Sequence, residues 1–235
     1  MQLTSQLIVD IPRHQQKLYG LDAHHLMPVG EFLLEPRTAA AFAEMQFAAA
    51  KNGFDLQICS AYRPFERQVH IWNAKASGKR SLLDIESNPI DFASLNEQQL
   101  IDTILIWSAL PGASRHHWGT DIDVYDAKLI SKQSLQLVSA EYQANGPCFA
   151  LHQWLTHHAQ QYGFYFPYQA QKSGVSPEPW HLSYFPVATD YLSQFRVDEL
   201  AKVLSQAQIS LQSPLIERLT ELVNQYVFYV APSPA

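Results

Sequence analysis

The sequence predicts an α+β fold, a small and mainly antiparallel sheet with flanking helices, and three observations predict it. Helical and strand patterns are mixed along the 235 residues without the regular alternation of a doubly wound sheet. The strand patterns are short and alternate apolar with polar residues, as strands with one buried face do. Beyond Pro186 the character turns almost wholly to helix. Residues 187–235 therefore read as a helical extension packed on a domain made by residues 1–186.

Residues 1–35 read as irregular, punctuated by Pro12, Gly20, Pro28 and Gly30. A helix follows from Pro36 to about Asn52. Pro36 suits a first turn, Phe42, Met45 and Phe47 supply apolar spacing, and Gly53 stops it. Residues 54–59 alternate and read as a strand running into Ser60-Ala61-Tyr62-Arg63-Pro64. A second helix is expected from about Pro64 to Ala76. Residues 79–95 read as an excursion or flexible loop, and 95–110 as a helix closed by Pro111-Gly112.

Residues 122–125 read as a strand in which Ile122 and Val124 face one way while Asp121, Asp123 and Tyr125 face the other. A polar connection spans 127–147. Residues 149–162 read as a helix stopped by Gly163, and 164–166 as a short aromatic strand. Residues 180–185 read as another strand, with His181, Ser183 and Phe185 on one face. Helices are expected around 189–207 and 214–225, and 227–230 as a last strand.

Composition narrows the function classes. An apolar fraction of 47% and a charged fraction of 16% describe an ordinary globular protein. The net charge of -6 and the lack of a basic run argue against nucleic acid as a partner. Cys59 and Cys148 form no Cys-x-x-Cys pair and no disulfide framework, so both read as buried thiols. The N-terminus lacks a basic region and a long apolar run, so neither a signal peptide nor a membrane segment is expected. With Met1 as the native start the chain reads as cytoplasmic; a trimmed start would leave a periplasmic location open.

The chemistry concentrates in Ser114-Arg115-His116-His117-Trp118-Gly119-Thr120-Asp121-Ile122-Asp123. Imidazoles and carboxylates stand on either side of a glycine that lets the backbone reverse, so that a histidine before it and a carboxylate after it face one point. A second cluster, Glu178-Pro179-Trp180-His181, lies downstream. Two histidines and one carboxylate leave a tetrahedral zinc one open position for water, and a further carboxylate beside it suits hydrolysis. Spacing alone does not choose the ligands among His116, His117, Asp121 and Asp123. The scattered His14, His24, His25, His70 and His152 take no role.

The string Ser114-x-His116-x-x-Gly119-x-x-x-Asp123, with Glu178-x-Trp180-His181 after it, resembles the zinc signature of the D-alanyl-D-alanine carboxypeptidase family of the VanY type. That family shares one zinc fold with D-Ala-D-Ala dipeptidases, lysostaphin-like endopeptidases and the hedgehog signalling domain. Ser60-Ala61-Tyr62-Arg63-Pro64-x-x-x-Gln68 and Trp154-Leu155-x-x-x-Ala159-x-x-Tyr162-Gly163-Phe164 match as well. The four motifs fall in the right order over about residues 54–186.

The resemblance implies one Zn2+ ion held by His116, Asp123 and His181, with water as a fourth ligand. It makes Glu178 the base that takes a proton from water and returns it to the leaving amine. It makes Arg63 the anchor of a terminal carboxylate, through paired hydrogen bonds, with Ser114 and Gln68 assisting. Tyr62 and Trp180 read as pocket walls, against a default of core packing. Asp121 stands where many relatives carry a small residue, often alanine, and reads as a carboxylate orienting a ligand histidine. His158 replaces a frequent asparagine, and Pro167-Tyr168 a frequent Arg-Tyr-Pro.

The expected activity is a zinc carboxypeptidase acting on D-alanine-terminated peptides of peptidoglycan type, with a peptide or muropeptide as partner. An L,D-carboxypeptidase or D,D-dipeptidase of muropeptide recycling is the alternative within the enzyme class. A non-catalytic, zinc-stabilised binding module is the alternative outside it, and Glu178 with Arg63 speaks against that.

Overall fold

A computed structural model describes residues 9–234, and the reading of the first eight residues as free of a targeting segment lies outside them. The expectation of an irregular start is corrected. A 3-10 helix at Arg13–Tyr19 buries Leu18 and Tyr19, and strands β1 (Met27–Val29) and β2 (Phe32–Leu34) pair as a hairpin. Elements this short hold too few residues to display an apolar period.

Helix α1 (Pro36–Lys51) begins where the Glu35 side chain accepts the Thr38 N–H at 3.0 Å, and it buries Phe42, Met45 and Ala49. Strand β3 (Leu56–Ser60) and helix α2 (Phe65–Ala76) follow as expected. The 79–95 excursion holds a small hairpin, β4 (Leu82–Leu83) with β5 (Pro89–Ile90). Helix α3 (Glu97–Leu105) starts where Asn96 and Gln99 cap each other reciprocally, and it ends at Leu105, short of the expected residue 110. Strand β6 (Asp121–Asp126) is buried along its whole length. The 127–147 connection contains only α4 (Ser139–Tyr142). Helix α5 (Phe149–His158) tightens into a 3-10 turn before Gly163, and β7 (Phe164–Tyr165) and β8 (His181–Tyr184) complete the strands.

The C-terminal expectations need three corrections. Phe185 opens helix α6 (Phe185–Gln194), with Pro186 in its first turn, so it does not share a strand face with His181 and Ser183. The helix expected at 189–207 is two, because Phe195 and Arg196 adopt extended backbone between α6 and α7 (Val197–Gln206). After α8 (Gln212–Glu217) and α9 (Leu219–Val223), Asn224–Phe228 continues as a π-helical turn where a strand was expected. Val227 is drawn into a helical core there, and packing overrides its β propensity.

The four-stranded sheet is antiparallel in the order β3-β6-β8-β7. Ile58, Ile122, Val124 and Leu182 face Phe42 and Met45 of α1 and Leu151 and Leu155 of α5. A second core joins Phe65 and Trp72 of α2 and Ile101 of α3 to Leu200, Leu204, Leu215 and Leu222. Burying those four leucines contributes about 1.5–3 kcal/mol each, comparable together with the roughly 5–15 kcal/mol that holds a domain folded. Residues beyond 187 thus complete a core that α2 and α3 begin. The Ala231 N–H donates to the Pro167 carbonyl at 2.9 Å, and that of Gly174 to the Tyr229 carbonyl at 3.1 Å. No helix among the described residues is long and apolar enough to cross a membrane.

Candidate metal centre

The register of β6 against β8 sets Asp123 directly opposite His181 and Asp121 opposite Ser183, while Ile122 and Leu182 pair on the core side. Directly opposed residues share a face with Cβ atoms roughly 5 Å apart. A slip of one residue would turn both functional pairs into the core. His116 comes from the 3-10 turn Arg115–Trp118, which ends at Gly119 with φ +70°. Only glycine adopts that left-handed conformation freely, and a Cβ here would also run into the Leu26 side chain. The chain reverses at Gly119 and delivers β6 beside His116.

His116, Asp123 and His181 are all buried, and each offers one ligand atom, the three lying within 4.8 Å of one another. His116 Nε2 is 3.4 Å from Asp123 Oδ2, and His181 Nδ1 is 3.2 Å from Asp123 Oδ1. His116 Nδ1, Asp123 Oδ1 and His181 Nδ1 are buried without a hydrogen-bond partner. Leaving a buried polar atom unpaired costs about 1–3 kcal/mol, and a cation between Asp123 Oδ1 and His181 Nδ1 would remove that cost for these two atoms. Ligand atoms about 2.0–2.2 Å from a tetrahedral zinc stand roughly 3.4 Å from one another, close to the separations of each histidine from its nearer Asp123 oxygen. The donor set fits zinc.

Asp121 does a different job from Asp123. Its Oδ1 lies 2.9 Å from His181 Nε2 and accepts from Arg115 Nε at 2.8 Å. Its Oδ2 accepts from Thr120 Oγ1 at 2.7 Å and Ser183 Oγ at 3.2 Å. With both oxygens engaged, Asp121 cannot turn to a metal. Instead it holds His181 with Nε2–H toward itself and Nδ1 toward Asp123 and Glu178. Burial alone would raise the Asp121 carboxyl, but the Arg115 guanidinium and His181 hold it far below the usual carboxylate range. Asp123 is likewise held low by His116 and His181 against its burial. Burial pushes the His181 imidazole down, yet its carboxylate partners Asp121, Asp123 and Glu178 carry it well above its ordinary value.

His117 points the other way. Its Nε2 accepts the Gly112 N–H at 3.1 Å, so Nδ1–H donates to the Arg63 carbonyl at 2.6 Å. Complete burial pushes its proton affinity down to about 3. It is a neutral clamp. His116, Asp123 and His181 remain as the cluster that could hold a metal ion.

Glu178 Oε2 stands 3.3 Å from His181 Nδ1. The Glu178 backbone is held at both ends, its N–H donating to the Tyr168 carbonyl and its own carbonyl accepting the His181 N–H at 3.1 Å. Arg63 lines the same cleft of about 610 Å³, which also takes in Ser114, Trp180 and the three metal-type residues. Its Nη1 donates to Gln68 Oε1 at 2.9 Å and its Nη2 to Ser60 Oγ at 3.3 Å. Ser114 lies in the wall, nearly buried, and Trp180 stacks on Trp107 at 6.4 Å.

Two expected substrate contacts are corrected. Gln68 has no exposed surface, and its Nε2 donates to the Ala109 carbonyl at 2.7 Å, so it braces Arg63 rather than touching a ligand. Tyr62 is not part of the cleft wall; its hydroxyl turns to the Gly20 carbonyl at 3.4 Å. Tyr168 and Lys75 are wall residues that sequence reasoning missed. Tyr168 sits with its ring 4.7 Å from that of His181, and burial raises its phenol above the ordinary range. The departure at Pro167-Tyr168 was its only trace in the sequence. Tyr168 and Glu178 also line a second cleft of about 550 Å³, so the two clefts meet at these residues.

A family model described as VanY, D-alanyl-D-alanine carboxypeptidase, matches residues 31–187. A Haemophilus influenzae protein described only as uncharacterized is 35% identical over 121 residues, which is 50% of this chain and 92% of that one. The D-alanyl-D-alanine carboxypeptidase of Enterococcus faecalis is 26% identical over 140 residues, 58% of this chain and 42% of that one. Among solved structures, VanYB in complex with D-alanine-D-alanine is similar with a TM-score of 0.53 at 21% identity, covering 83% of this chain and 96% of that one. A mutant of the vancomycin resistance D,D-pentapeptidase VanY in complex with Zn(II) gives 0.51 at 21% identity, covering 76% and 91%. At that identity the structural likeness speaks for the α+β fold. With the family model spanning most of the chain, from β2 through β8, the chain belongs to the VanY family of D-alanyl-D-alanine carboxypeptidases.

Proposed function

We propose that this chain is a zinc-dependent carboxypeptidase that removes terminal D-alanine from peptides of peptidoglycan type. One observation carries the reading. The convergent ligand atoms of His116, Asp123 and His181 lie within 4.8 Å of one another, and the Glu178 carboxylate is 3.3 Å from His181 in a cleft that also holds Arg63.

His116, Asp123 and His181 would hold the ion. Zinc, when bound, polarises the scissile carbonyl and makes water a stronger acid. Glu178 takes one proton from the attacking water as its oxygen bonds to the carbonyl carbon. It then gives that proton to the amine nitrogen as the C–N bond breaks. Asp121 and Arg115 keep His181 turned the right way throughout.

Arg63 selects a free C-terminus. A guanidinium has five N–H donors, and here Gln68 and Ser60 use only part of that set. Both partners are neutral; Asp123 and Glu178 act on the guanidinium only through space, and a substrate carboxylate would supply its direct ion-pair partner. Ser114 and Trp180 shape the wall around it.

The test is Glu178→Ala with a peptide ending in D-Ala-D-Ala. The variant is expected to keep one zinc and to lose roughly 10²–10⁴-fold in kcat. Zinc-replete variant protein that turns over normally would overturn the reading.

A further inference from the structure

Helix α2 forms one long wall of the cleft. Arg63 stands just before its N-terminus, Ile71 and Lys75 lie along the wall, and Lys79 and Arg80 follow in the turn after its end. Trp107 and Trp180 close the cleft with aromatic rings. A cavity of about 610 Å³ is sized for a ligand of several residues, more than one terminal alanine requires.

Lys75, Lys79 and Arg80 make no ion pair among the described residues. Lys79 and Arg80 are exposed at the mouth, while Lys75 is half-buried inside it. Burial pushes the Lys75 ammonium down to about 8, with Arg80 adding to the push and Glu178 opposing it. Lys75 therefore still carries its charge at neutral pH. Arg63 and Lys75 both feel the Glu178 carboxylate. The cleft thus offers two separate cationic positions on either end of one helix, and a terminal carboxylate occupies only the first.

We propose that Lys75, with Lys79 and Arg80, forms a second anion subsite that reads a free carboxylate on a substrate residue upstream of the scissile bond. This rests on the carboxypeptidase reading of the same cleft. The 12 residues of α2 rise roughly 18 Å, which about five extended peptide residues span. The substrate class is an acidic stem peptide, and its neutral, amidated counterpart is discriminated against.

The experiment compares two synthetic pentapeptides ending in D-Ala-D-Ala. One carries free side-chain carboxylates on its first two residues, the pair farthest from the terminal carboxylate, and the other carries carboxamides there. Wild-type zinc protein is expected to favour the acid by about 10–100-fold in kcat/KM, the worth of a charge-assisted hydrogen bond. In Lys75→Met with Arg80→Gln the ratio collapses to near one. The exposed single variant Arg80→Gln, with an unaltered melting temperature, lowers the ratio in part. Equal treatment of both peptides by the wild type, or a ratio that survives in the double variant, overturns the subsite while leaving the peptidase reading intact. If neither peptide is cut, affinity for both is measured on Glu178→Ala protein. An acid preference there that Lys75→Met abolishes supports the subsite and sinks the peptidase reading. No preference sinks both.

Discussion

His117 Nδ1 lies 2.6 Å from the backbone carbonyl of Arg63, and the Arg63 N–H donates to the carbonyl of His116 at 3.0 Å. The segment carrying Arg63 and the turn carrying His116 are therefore held together by one backbone hydrogen bond and one from the His117 side chain. His117, next to His116, thus fixes the backbone at Arg63.

His117→Ala is expected to lose about 2–4 kcal/mol of stability, from a cavity and from unpaired Gly112 and Arg63 backbone groups. Zinc content should hold while kcat/KM falls more than tenfold, because Arg63 loses its place. Denaturant unfolding and metal analysis on the same sample check this. An unchanged midpoint would show that the clamp holds nothing.

Asp121→Asn keeps the shape and removes the charge. Two consequences are expected. Zinc affinity falls about 10–100-fold as His181 loses its oriented partner. Stability falls by about 3–5 kcal/mol, since the buried Arg115 is left without its counter-charge. A chelator competition and a melting curve measure the two separately. A variant with wild-type zinc affinity would mean that the carboxylate does not orient His181.

Arg63→Ala should reduce kcat/KM by 10²-fold or so on peptides with a free C-terminus and little on C-terminally amidated ones, the loss of a bidentate charged contact. Equal losses on both would make Arg63 structural.

Zinc affinity should rise with pH through the neutral range. Without metal, Asp121, Asp123 and Glu178 hold the His181 proton well above its ordinary value, against burial. Zinc must displace that proton, so affinity gains up to about tenfold per pH unit until pH passes the raised value, and it weakens on acidification. Competition with a chelator at three pH values reads the slope. A flat profile would show that no proton leaves on binding.

Helix α1 and the glycine stops were legible because a 16-residue apolar period and a proline start are local signals. The boundary between β8 and α6 was not, since Trp180 through Phe185 alternates as well as any strand although Phe185 already opens a helix. The π-helical turn at Asn224–Phe228 was hidden for the same reason, with strand-forming side chains recruited into a helical core.

What the sequence determined by itself was the set of chemical types and their strand phase. Period two places Asp121 and Asp123 on one face, and the family motif names His116, His181 and Glu178 beside them. The family motif already names Asp123 rather than Asp121, and only the tertiary structure supplies the physical reason. Arg115 and Ser183, the latter 62 positions away from Asp121, occupy its oxygens, whereas those of Asp123 face His116 and His181. The same holds for Gln68, buried behind Arg63, and for Lys75, which reaches the cleft from the far end of α2. Hydrogen-bond partners and burial depend on contacts between distant segments, and a local period carries no record of them.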